Sequence, residues 1–249
     1  MTSSPWALIT GAGSGLGAEY AAQLAQSGHS LVLVGRDNAR LEMTATRLRE
    51  GGAVCEILVA DLHSPGDVKR VGKRLASHTH PIRVLVNNAG YGIHGTLASS
   101  DSQQERDHLA VHVTAPMELM KAALPGMIDR GEGRIVMVSS VAGYLARGTY
   151  SAHKAWGLSI ARSLHATHRR QGIHVSAVAP GFTRTEFHQR MEMKTDIFPE
   201  IMWLKAADVV RASLRAVELG KAVVIPSLRY KVLVALATVL PARVHQAGT

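Results

Sequence analysis

The chain has 249 residues, of which 46% are hydrophobic and 19% are charged, and its formal net charge is +9 with 13 histidines left uncounted. That length and balance indicate one globular domain and exclude long disordered regions. The single cysteine, Cys55, excludes an internal disulfide framework and favours a cytoplasmic protein. The first segment, MTSSPWALITG, lacks the basic and long apolar regions of a signal peptide.

Short apolar runs alternate with helix-length amphipathic stretches along the chain. The predicted strands are 6–10, 30–35, 54–60, 83–88, 134–140, 174–180 and 222–226. The predicted helices are 15–27, 38–50, 65–77, 102–130, 149–171 and 206–219. Most strands are almost continuously apolar, so both faces of their sheet should be covered. The pattern predicts an α/β fold with a doubly wound, seven-stranded parallel sheet, a Rossmann fold in one domain over 1–249, with ligands bound beyond the carboxyl ends of the strands.

A glycine-rich turn, TGAGSGLG, follows the first predicted strand. Gly11, Gly15 and Gly17 permit a tight turn, close approach of backbone N–H groups to a pyrophosphate, and close packing of the next helix. Ser14 and Leu16 stand between them, where the helix N-terminus would face the phosphate charge. The order of strand, glycines and helix favours nucleotide binding over a plain tight turn.

Arg36 follows the second strand, at the position where an NAD site usually offers a carboxylate to the ribose. Gly35 leaves room there, and the guanidinium can bind a 2′-phosphate bidentately, which favours NADP over NAD as the cofactor. Asp37 leaves an alternative open, because its carboxylate could reach the ribose or could cap the next helix.

Polar residues also follow the third and fourth strands. Asp61 and Leu62 are placed to hydrogen-bond and pack against an adenine, although Asp61 could simply precede the next helix. In NNAG, residues 87–90, the two amides can tie neighbouring strand ends together and Gly90 permits close approach of the cofactor. Asn88, Ala89 and Gly90 are therefore predicted cofactor contacts.

Ser139 and Ser140 end the fifth strand, and Tyr150 and Lys154 stand near the start of the following helix. Their i, i+4 spacing puts the phenol and the ammonium on one helical face. A free tyrosine has a pKa of about 10, and a neighbouring cation lowers it. A serine hydroxyl can hold a substrate carbonyl oxygen beside the phenol. The segment predicts a proton-transfer site, although Tyr-x-x-x-Lys alone also occurs by chance.

Together, the motifs TGAGSGLG, DL, NNAG, SSVAG, YSAHK and APGFTRT resemble those of the short-chain dehydrogenase/reductase family over residues 6–226. The tail more weakly resembles a bacterial subgroup related to 3-oxoacyl and hydroxysteroid reductases. The resemblance implies hydride transfer between a nicotinamide and a carbonyl or secondary alcohol. It gives Ser140 the role of orienting the substrate oxygen and Tyr150 that of acid or base. Lys154 would hold the nicotinamide ribose and lower the pKa of Tyr150.

The resemblance also implies contacts beyond the sixth strand. Pro180 and Gly181 would lie beside the nicotinamide, and Thr183 and Thr185 would reach its carboxamide or the phosphates. Residues 184–205 resemble the family's substrate-binding segment, whose apolar members would form an adaptable wall. These members are Phe187, Met191, Met193, Ile197, Phe198, Met202 and Trp203. A helix pair that only packs on the core is the alternative. A homodimer or homotetramer is expected.

Two features depart from the family pattern. His112 stands where the family usually has an asparagine that keeps a water beside the lysine, and the imidazole could replace it in the proton relay or simply pack. The segment between Ser140 and Tyr150 is shorter than usual, which should reshape the substrate mouth and leaves Ser139 as an alternative to Ser140. His108 shares a helical face with His112, but two histidines alone make a poor zinc site, and no metal is expected.

The segment VLVALATVL, at 232–240, is too short for a membrane span of about 20 residues. It predicts a terminal helix in the apolar and basic tail, 227–249, that packs on the domain or on a second subunit. Peripheral membrane contact is the alternative, because Arg229 and Lys231 flank the segment. The Lys and Arg residues are otherwise scattered with few aromatic neighbours, so nucleic acid is not an expected partner.

The sequence therefore predicts an NADP-dependent oxidoreductase that acts on an apolar ketone, a secondary alcohol, or a hydroxysteroid-like or 3-oxoacyl compound. The alternative is an NADP-binding protein with little or no turnover that acts as a redox sensor or structural partner. His112 and the short loop motivate this alternative, whereas Ser140, Tyr150 and Lys154 favour the enzyme.

Overall fold

The computed structural model describes residues 4–93, 96–186 and 199–239. Its strands are Trp6–Thr10 (β1), Ser30–Gly35 (β2), Cys55–Val59 (β3), Ile82–Asn87 (β4), Gly133–Val138 (β5), Ile173–Val178 (β6) and Val223–Val224 (β7). Its α-helices are Gly15–Gln26 (α1), Asn38–Glu50 (α2), Pro65–Leu75 (α3), Ser102–Leu109 (α4), Ala115–Arg130 (α5), Gly148–His168 (α6), Ala206–Glu218 (α7) and Leu228–Val239 (α8).

The seven strands form one parallel sheet in the order β3-β2-β1-β4-β5-β6-β7. The predicted doubly wound, seven-stranded α/β fold is confirmed. Helices α3, α5 and α6 pack on one face, and α1, α2 and α7 pack on the other. Strand β1 is buried along its whole length because helices cover both of its faces.

The strand order reverses at β1, which pairs with β2 on one side and with β4 on the other. Connections leave these two sides in opposite directions, so a crevice opens beyond the carboxyl end of β1. The glycine turn after β1 and the NNAG segment after β4 therefore lie at the same point of the fold.

Three elements differ most from their predicted bounds, and several others are shifted by one or two residues at an end. The predicted helix 102–130 is interrupted by a π-helical turn, Ala110–Thr114, which lies between α4 and α5. A π-helical turn inserts one extra residue and is frequent at functional sites. Strand β7 has only two residues because it is an edge strand that pairs with β6 alone. The helix predicted over 149–171 ends at His168 and continues as a short 3₁₀ turn.

The predicted terminal helix is α8. Its Tyr230 and Val234 are buried, so the helix packs on the domain along one side. Within the described part of the chain, the helices are too short or too polar to span a bilayer.

Candidate active site

A cleft of about 1300 Å³ opens along the carboxyl ends of the strands. The predicted site residues that line it come from the segments that follow β1 to β6 and from the start of α6. They are Gly11, Ser14, Gly15, Leu16, Arg36, Asp61, Leu62, Asn88, Ala89, Gly90, Ser140, Tyr150, Lys154, Pro180, Gly181, Thr183 and Thr185. Of the predicted site residues, only Gly17 and His112 lie behind this lining.

The glycine turn brings the start of α1 into close contact with the backbone at the end of β1. Gly11 and Gly15 have φ of 68° and 54°, in the left-handed region that favours glycine. A Cβ at Gly17 would lie 2.0 Å from the carbonyl oxygen of Gly11, so only glycine lets α1 start here. Thr185 lies across the turn, since a Cβ on Gly15 would lie 3.3 Å from its Cβ. The N-terminus of α1 thus opens into a narrow backbone-lined space suited to a phosphate.

Asn88 ties the end of β4 to the glycine turn. Its Nδ2 donates to the carbonyl oxygens of Thr10 at 2.9 Å and Gly11 at 3.3 Å. The Thr10 hydroxyl accepts in return from the backbone N–H groups of Asn88 and Ala89, each at 3.0 Å. The neighbouring Asn87 is buried, and its side-chain atoms have no hydrogen-bond partner within the described ranges.

Arg36 and Asp37 follow β2 at the opposite end of the cleft from Tyr150. Both line the cleft, but the Asp37 carboxylate caps α2 by accepting from the backbone N–H of Arg40 at 3.1 Å. It also pairs with the Arg40 guanidinium at 3.2 Å. Of the two roles predicted for Asp37, the structure shows the helix cap. Two guanidinium groups, those of Arg36 and Arg40, line this end of the cleft.

Asp61 is held by its neighbours at the same end. Its Oδ1 accepts from the backbone N–H of His63 at 3.1 Å and from the His63 ring at 2.7 Å. Burial alone would raise the pKa of Asp61, but the His63 hydrogen bonds and the charge of Arg36 outweigh burial and lower it. The carboxylate is charged at neutral pH and accepts hydrogen bonds at the cleft wall.

Ser140 and Tyr150 meet across the short loop. The two side chains are hydrogen-bonded to each other, although the chain between them makes a 3₁₀ turn, Val141–Tyr144, before α6 begins at Gly148. Ser139 is occupied elsewhere, because its buried hydroxyl donates to the Lys154 carbonyl at 2.7 Å. Of the two serines, Ser140 is therefore the one beside the phenol.

Lys154 lies behind the phenol on the same helical face. Its Nζ is 5.5 Å from the centroid of the Tyr150 ring and donates to the Val138 carbonyl at 2.9 Å. Burial lowers the pKa of Lys154 to about 8, so the amine stays largely protonated at pH 7.

The pKa of Tyr150 is shifted in the direction opposite to the predicted one. The sequence predicts a value lowered by Lys154, whereas burial raises it to about 12 and the hydrogen bond with Ser140 offsets only part of this increase. A phenol taken out of water disfavours its charged form, and here that cost outweighs the stabilisation from the Ser140 hydrogen bond. Tyr150 therefore carries its proton throughout the neutral range.

His112 binds the backbone of Tyr91 rather than Lys154. Its Nε2 lies 2.7 Å from the Tyr91 carbonyl oxygen and 3.0 Å from the Tyr91 nitrogen. A Cβ at Gly90 would lie 2.5 Å from the imidazole, so glycine is needed where the ring passes behind the cleft. Burial and the Lys154 charge hold the pKa of His112 well below its usual value, and the ring is neutral.

A histidine cluster, comprising His108, His112 and His153, surrounds the backbone of Tyr91 and the start of α6. His108 Nε2 must donate to the Tyr91 carbonyl, 3.1 Å away, because a carbonyl only accepts. Its Nδ1 then accepts from Nδ1 of His153 at 2.8 Å. Burial, followed by the charge of His153, lowers the pKa of His108 to about 4. The described residues include no group of three His, Cys, Asp or Glu side chains arranged to hold a metal ion.

The loop after β6 connects the cleft to the rest of the chain. The Pro180 carbonyl accepts from the backbone N–H of Val141, next to Ser140, at 3.0 Å. The Thr183 hydroxyl is directed to the Gly181 carbonyl, also at 3.0 Å. The ring of Tyr230 from α8 packs directly on Gly181, at the place where a Cβ would be.

The predicted substrate wall within 184–205 is only partly described. Phe187, Met191, Met193, Ile197 and Phe198 lie outside the described residues. Met202 and Trp203 do not line the cleft. The ring of Trp203 is tilted against that of Phe182, with centroids 5.6 Å apart, and borders a separate small cavity. The apolar side chains observed in the cleft come from other segments, among them Ile93, Leu145 and Leu233.

Four residues of this site were missed by the sequence reasoning. Tyr91 directly follows NNAG, and His153 stands inside YSAHK, so both could have been found by inspecting positions next to a motif. His63 follows Asp61 by two residues, and its Nε2 reaches the Tyr91 hydroxyl at 3.2 Å. Tyr230 has no such signal, because it lies in the tail, far along the chain from any motif.

Comparison with known proteins assigns a family to this arrangement. The family model described as short chain dehydrogenase matches residues 5–196. The oxidoreductase UcpA of Escherichia coli K12 is 34% identical over 183 residues, which cover 72% of this chain and 69% of UcpA.

Two solved structures extend the similarity to almost the whole chain. One is a short-chain dehydrogenase from Sphingobium yanoikuyae in complex with NADPH, with 35% identity, a TM-score of 0.85 and 98% of each chain covered. The other is the bulky-bulky ketone specific alcohol dehydrogenase from Comamonas testosteroni, with 34% identity and a TM-score of 0.82. That match covers 100% of this chain and 98% of the other.

Proposed function

The chain belongs to the short-chain dehydrogenase family, and we propose that it is an NADP-dependent oxidoreductase that interconverts an apolar ketone and its secondary alcohol. One observation carries the proposal: Ser140, Tyr150 and Lys154 converge in the same cleft as the glycine turn after β1. A phosphate-binding turn and a buried acid in one cleft are what hydride-coupled proton transfer requires.

The cleft fits a nicotinamide dinucleotide. The turn at Gly11 and Gly15 and the start of α1 would hold the pyrophosphate, and Asp61 and Leu62 would contact the adenine. Gly90 and Gly181 would leave room for the nicotinamide half, and Lys154 would hold its ribose. When bound, the cofactor supplies or accepts the hydride.

Arg36 is the proposed determinant for NADP over NAD. Its guanidinium lines the cleft directly after β2, and the carboxylate of the next residue, Asp37, caps α2 and pairs with Arg40. A guanidinium matches the geometry of a phosphate monoester, so Arg36 would bind the 2′-phosphate. The guanidinium of Arg40, also on the cleft wall, is paired with Asp37 and Glu186.

Tyr150 is the proposed acid for carbonyl reduction. Its proton is retained at neutral pH because burial raises its pKa, and the hydrogen bond to Ser140 fixes the position of the phenol oxygen. A substrate carbonyl oxygen placed between the two hydroxyls would accept both hydrogen bonds and take the Tyr150 proton as it becomes an alkoxide. The Lys154 ammonium, behind the ring, would stabilise the phenolate left behind.

The substrate class follows from the lining beyond the two hydroxyls. Ile93, Leu145, Phe182 and Leu233 present apolar surface to the cleft, which suits a ketone with bulky apolar substituents. The similarity to a bulky-bulky ketone specific alcohol dehydrogenase supports the same class. As in the family generally, we expect a homo-oligomer.

The test is NADPH-dependent reduction of a panel of aliphatic, aryl and diaryl ketones, followed by absorbance, with Tyr150→Phe beside the wild type. Tyr150→Phe should lower kcat by about 10²-fold or more, the typical contribution of a positioned acid. Tyr144→Phe is the matched control, because Tyr144 lies on the neighbouring turn and does not line the cleft. Cofactor binding without any Tyr150-dependent turnover would favour a binding protein instead.

A further inference from the structure

Helix α8 lies at the catalytic end of the cleft. It packs against the turn Val141–Tyr144, which begins directly after Ser140. Tyr230, Leu233, Val234 and Ala237 of this helix all line the cleft. The tail of the chain thus faces the space around the reacting groups, not the end that holds Arg36.

Tyr230 anchors α8 to the loop after β6. Its side chain is 4% exposed, and its hydroxyl accepts from the backbone N–H of Phe182 at 3.0 Å and donates to the Met202 carbonyl at 2.8 Å. Both hydrogen-bonding functions of the hydroxyl are therefore used. The ring covers Gly181, where a Cβ would lie 1.9 Å from Cζ of Tyr230. The phenol fixes the helix against a glycine that itself lines the cleft.

The cleft-lining residues form one apolar face of α8. Residues 230, 233, 234 and 237 follow the i, i+3, i+4, i+7 spacing of a single helical face. Leu233 is 43% exposed, so much of its side chain remains accessible in the cleft wall. Leu236 is 57% exposed and is not part of the lining.

We infer that this face of α8 is the specificity wall of the site. Leu233 and Ala237 set the size of the apolar group that a ketone can place beside Ser140 and Tyr150, and Tyr230 is a positioning residue that fixes the wall relative to Gly181. The inference rests on the proposed function and adds the residues that choose among its substrates.

Two substitutions of opposite size test the wall, with kcat/KM measured for a slim methyl ketone and a ketone with two bulky apolar arms. Leu233→Ala enlarges the space and should raise the bulky-to-slim ratio about tenfold, the range for a few methylenes in an apolar pocket. Ala237→Leu fills the space and should lower the ratio by a similar factor. Leu236→Ala is the matched control and should leave the ratio and the NADPH affinity at wild-type values.

A fourth variant, Tyr230→Phe, tests the anchor. It keeps the ring on Gly181 and removes both hydrogen bonds, so the bulky-to-slim ratio should move at least threefold, through a change in the KM for the bulky ketone that exceeds any change in kcat. A purely structural role would lower the melting temperature and leave the ratio unchanged, and that result would overturn the positioning role.

The outcomes separate the two proposals. If turnover depends on Tyr150 but neither Leu233→Ala nor Ala237→Leu changes the ratio, the specificity wall is wrong and the proposed function stands. If no ketone shows Tyr150-dependent turnover, the proposed function is wrong. The specificity wall is then wrong as well, because it depends on that function.

Discussion

Acid should destabilise this protein through the histidine cluster, and His108 allows the effect to be isolated. In the folded chain its ring is buried, donates to the Tyr91 carbonyl and accepts from His153. The neighbouring charges of His153 and Lys154 oppose protonation, whereas the Tyr91 carbonyl and Glu105 favour it. Burial dominates and lowers the pKa of His108 to about 4.

The sign and size follow from linkage. Because the folded-state pKa lies below the unfolded value, the unfolded chain binds more protons between the two values, and stability falls as pH falls. With a pKa of about 4 folded and about 6.5 unfolded, His108 alone should cost about 2 kcal/mol of unfolding free energy between pH 7 and pH 5. The buried, neutral His112 should add a cost of the same sign.

The assay is urea unfolding at pH 5, 6, 7 and 8 for the wild type, His108→Gln and His78→Gln. A glutamine amide can still donate to the Tyr91 carbonyl but does not titrate, so His108→Gln should lose about 2 kcal/mol less than the wild type between pH 7 and pH 5. His78→Gln removes an exposed histidine and should follow the wild type. If the unfolding free energies of the wild type and His108→Gln fall in parallel as the pH is lowered, His108 is not the source of the acid sensitivity.

Three further predictions concern the cofactor, the relay position and the glycine turn. Arg36→Ala should weaken NADPH binding at least tenfold more than NADH binding in fluorescence titrations; equal losses would contradict the proposed 2′-phosphate contact. His112→Asn should leave the pH profile of kcat/KM unchanged, because the imidazole is neutral and an amide can also hydrogen-bond to the Tyr91 backbone. If the wild-type profile has an inflection near pH 6 that the variant lacks, the imidazole titrates. Gly17→Ala should lower the unfolding free energy by about 1–3 kcal/mol, since its Cβ has no room beside the Gly11 carbonyl, and an unchanged melting temperature would argue against this packing.

The sheet could be predicted because each strand is specified by the apolar pattern of its own residues. Each strand is a short apolar run whose burial on both faces needs no knowledge of distant residues, and β1 and β2 begin and end at the predicted positions. The backbone of the glycine turn is equally local, since Gly11 and Gly15 have positive φ and Gly17 packs on the Gly11 carbonyl within one strand, turn and helix.

The histidine cluster and the Tyr230 anchor could not be predicted because they join distant segments. His108 and His153 are 45 residues apart, and Tyr230 is 48 residues from Phe182. The sequence around each of these residues does not indicate its partner. The raised pKa of Tyr150 has the same origin: its spacing to Lys154 is local, but the burial that raises the pKa depends on the whole fold.

The central claim is that Tyr150 delivers a proton to a carbonyl in the cleft as a hydride arrives from a nicotinamide. The test is the transfer of deuterium from NADPH that carries deuterium at both C4 positions of the nicotinamide. Mass spectrometry should find one deuterium on the carbinol carbon of the product alcohol with the wild type and with Tyr144→Phe. Tyr150→Phe should form at least 10²-fold less labelled product per unit time. Unlabelled product, or labelling at the wild-type rate without the Tyr150 hydroxyl, would contradict it.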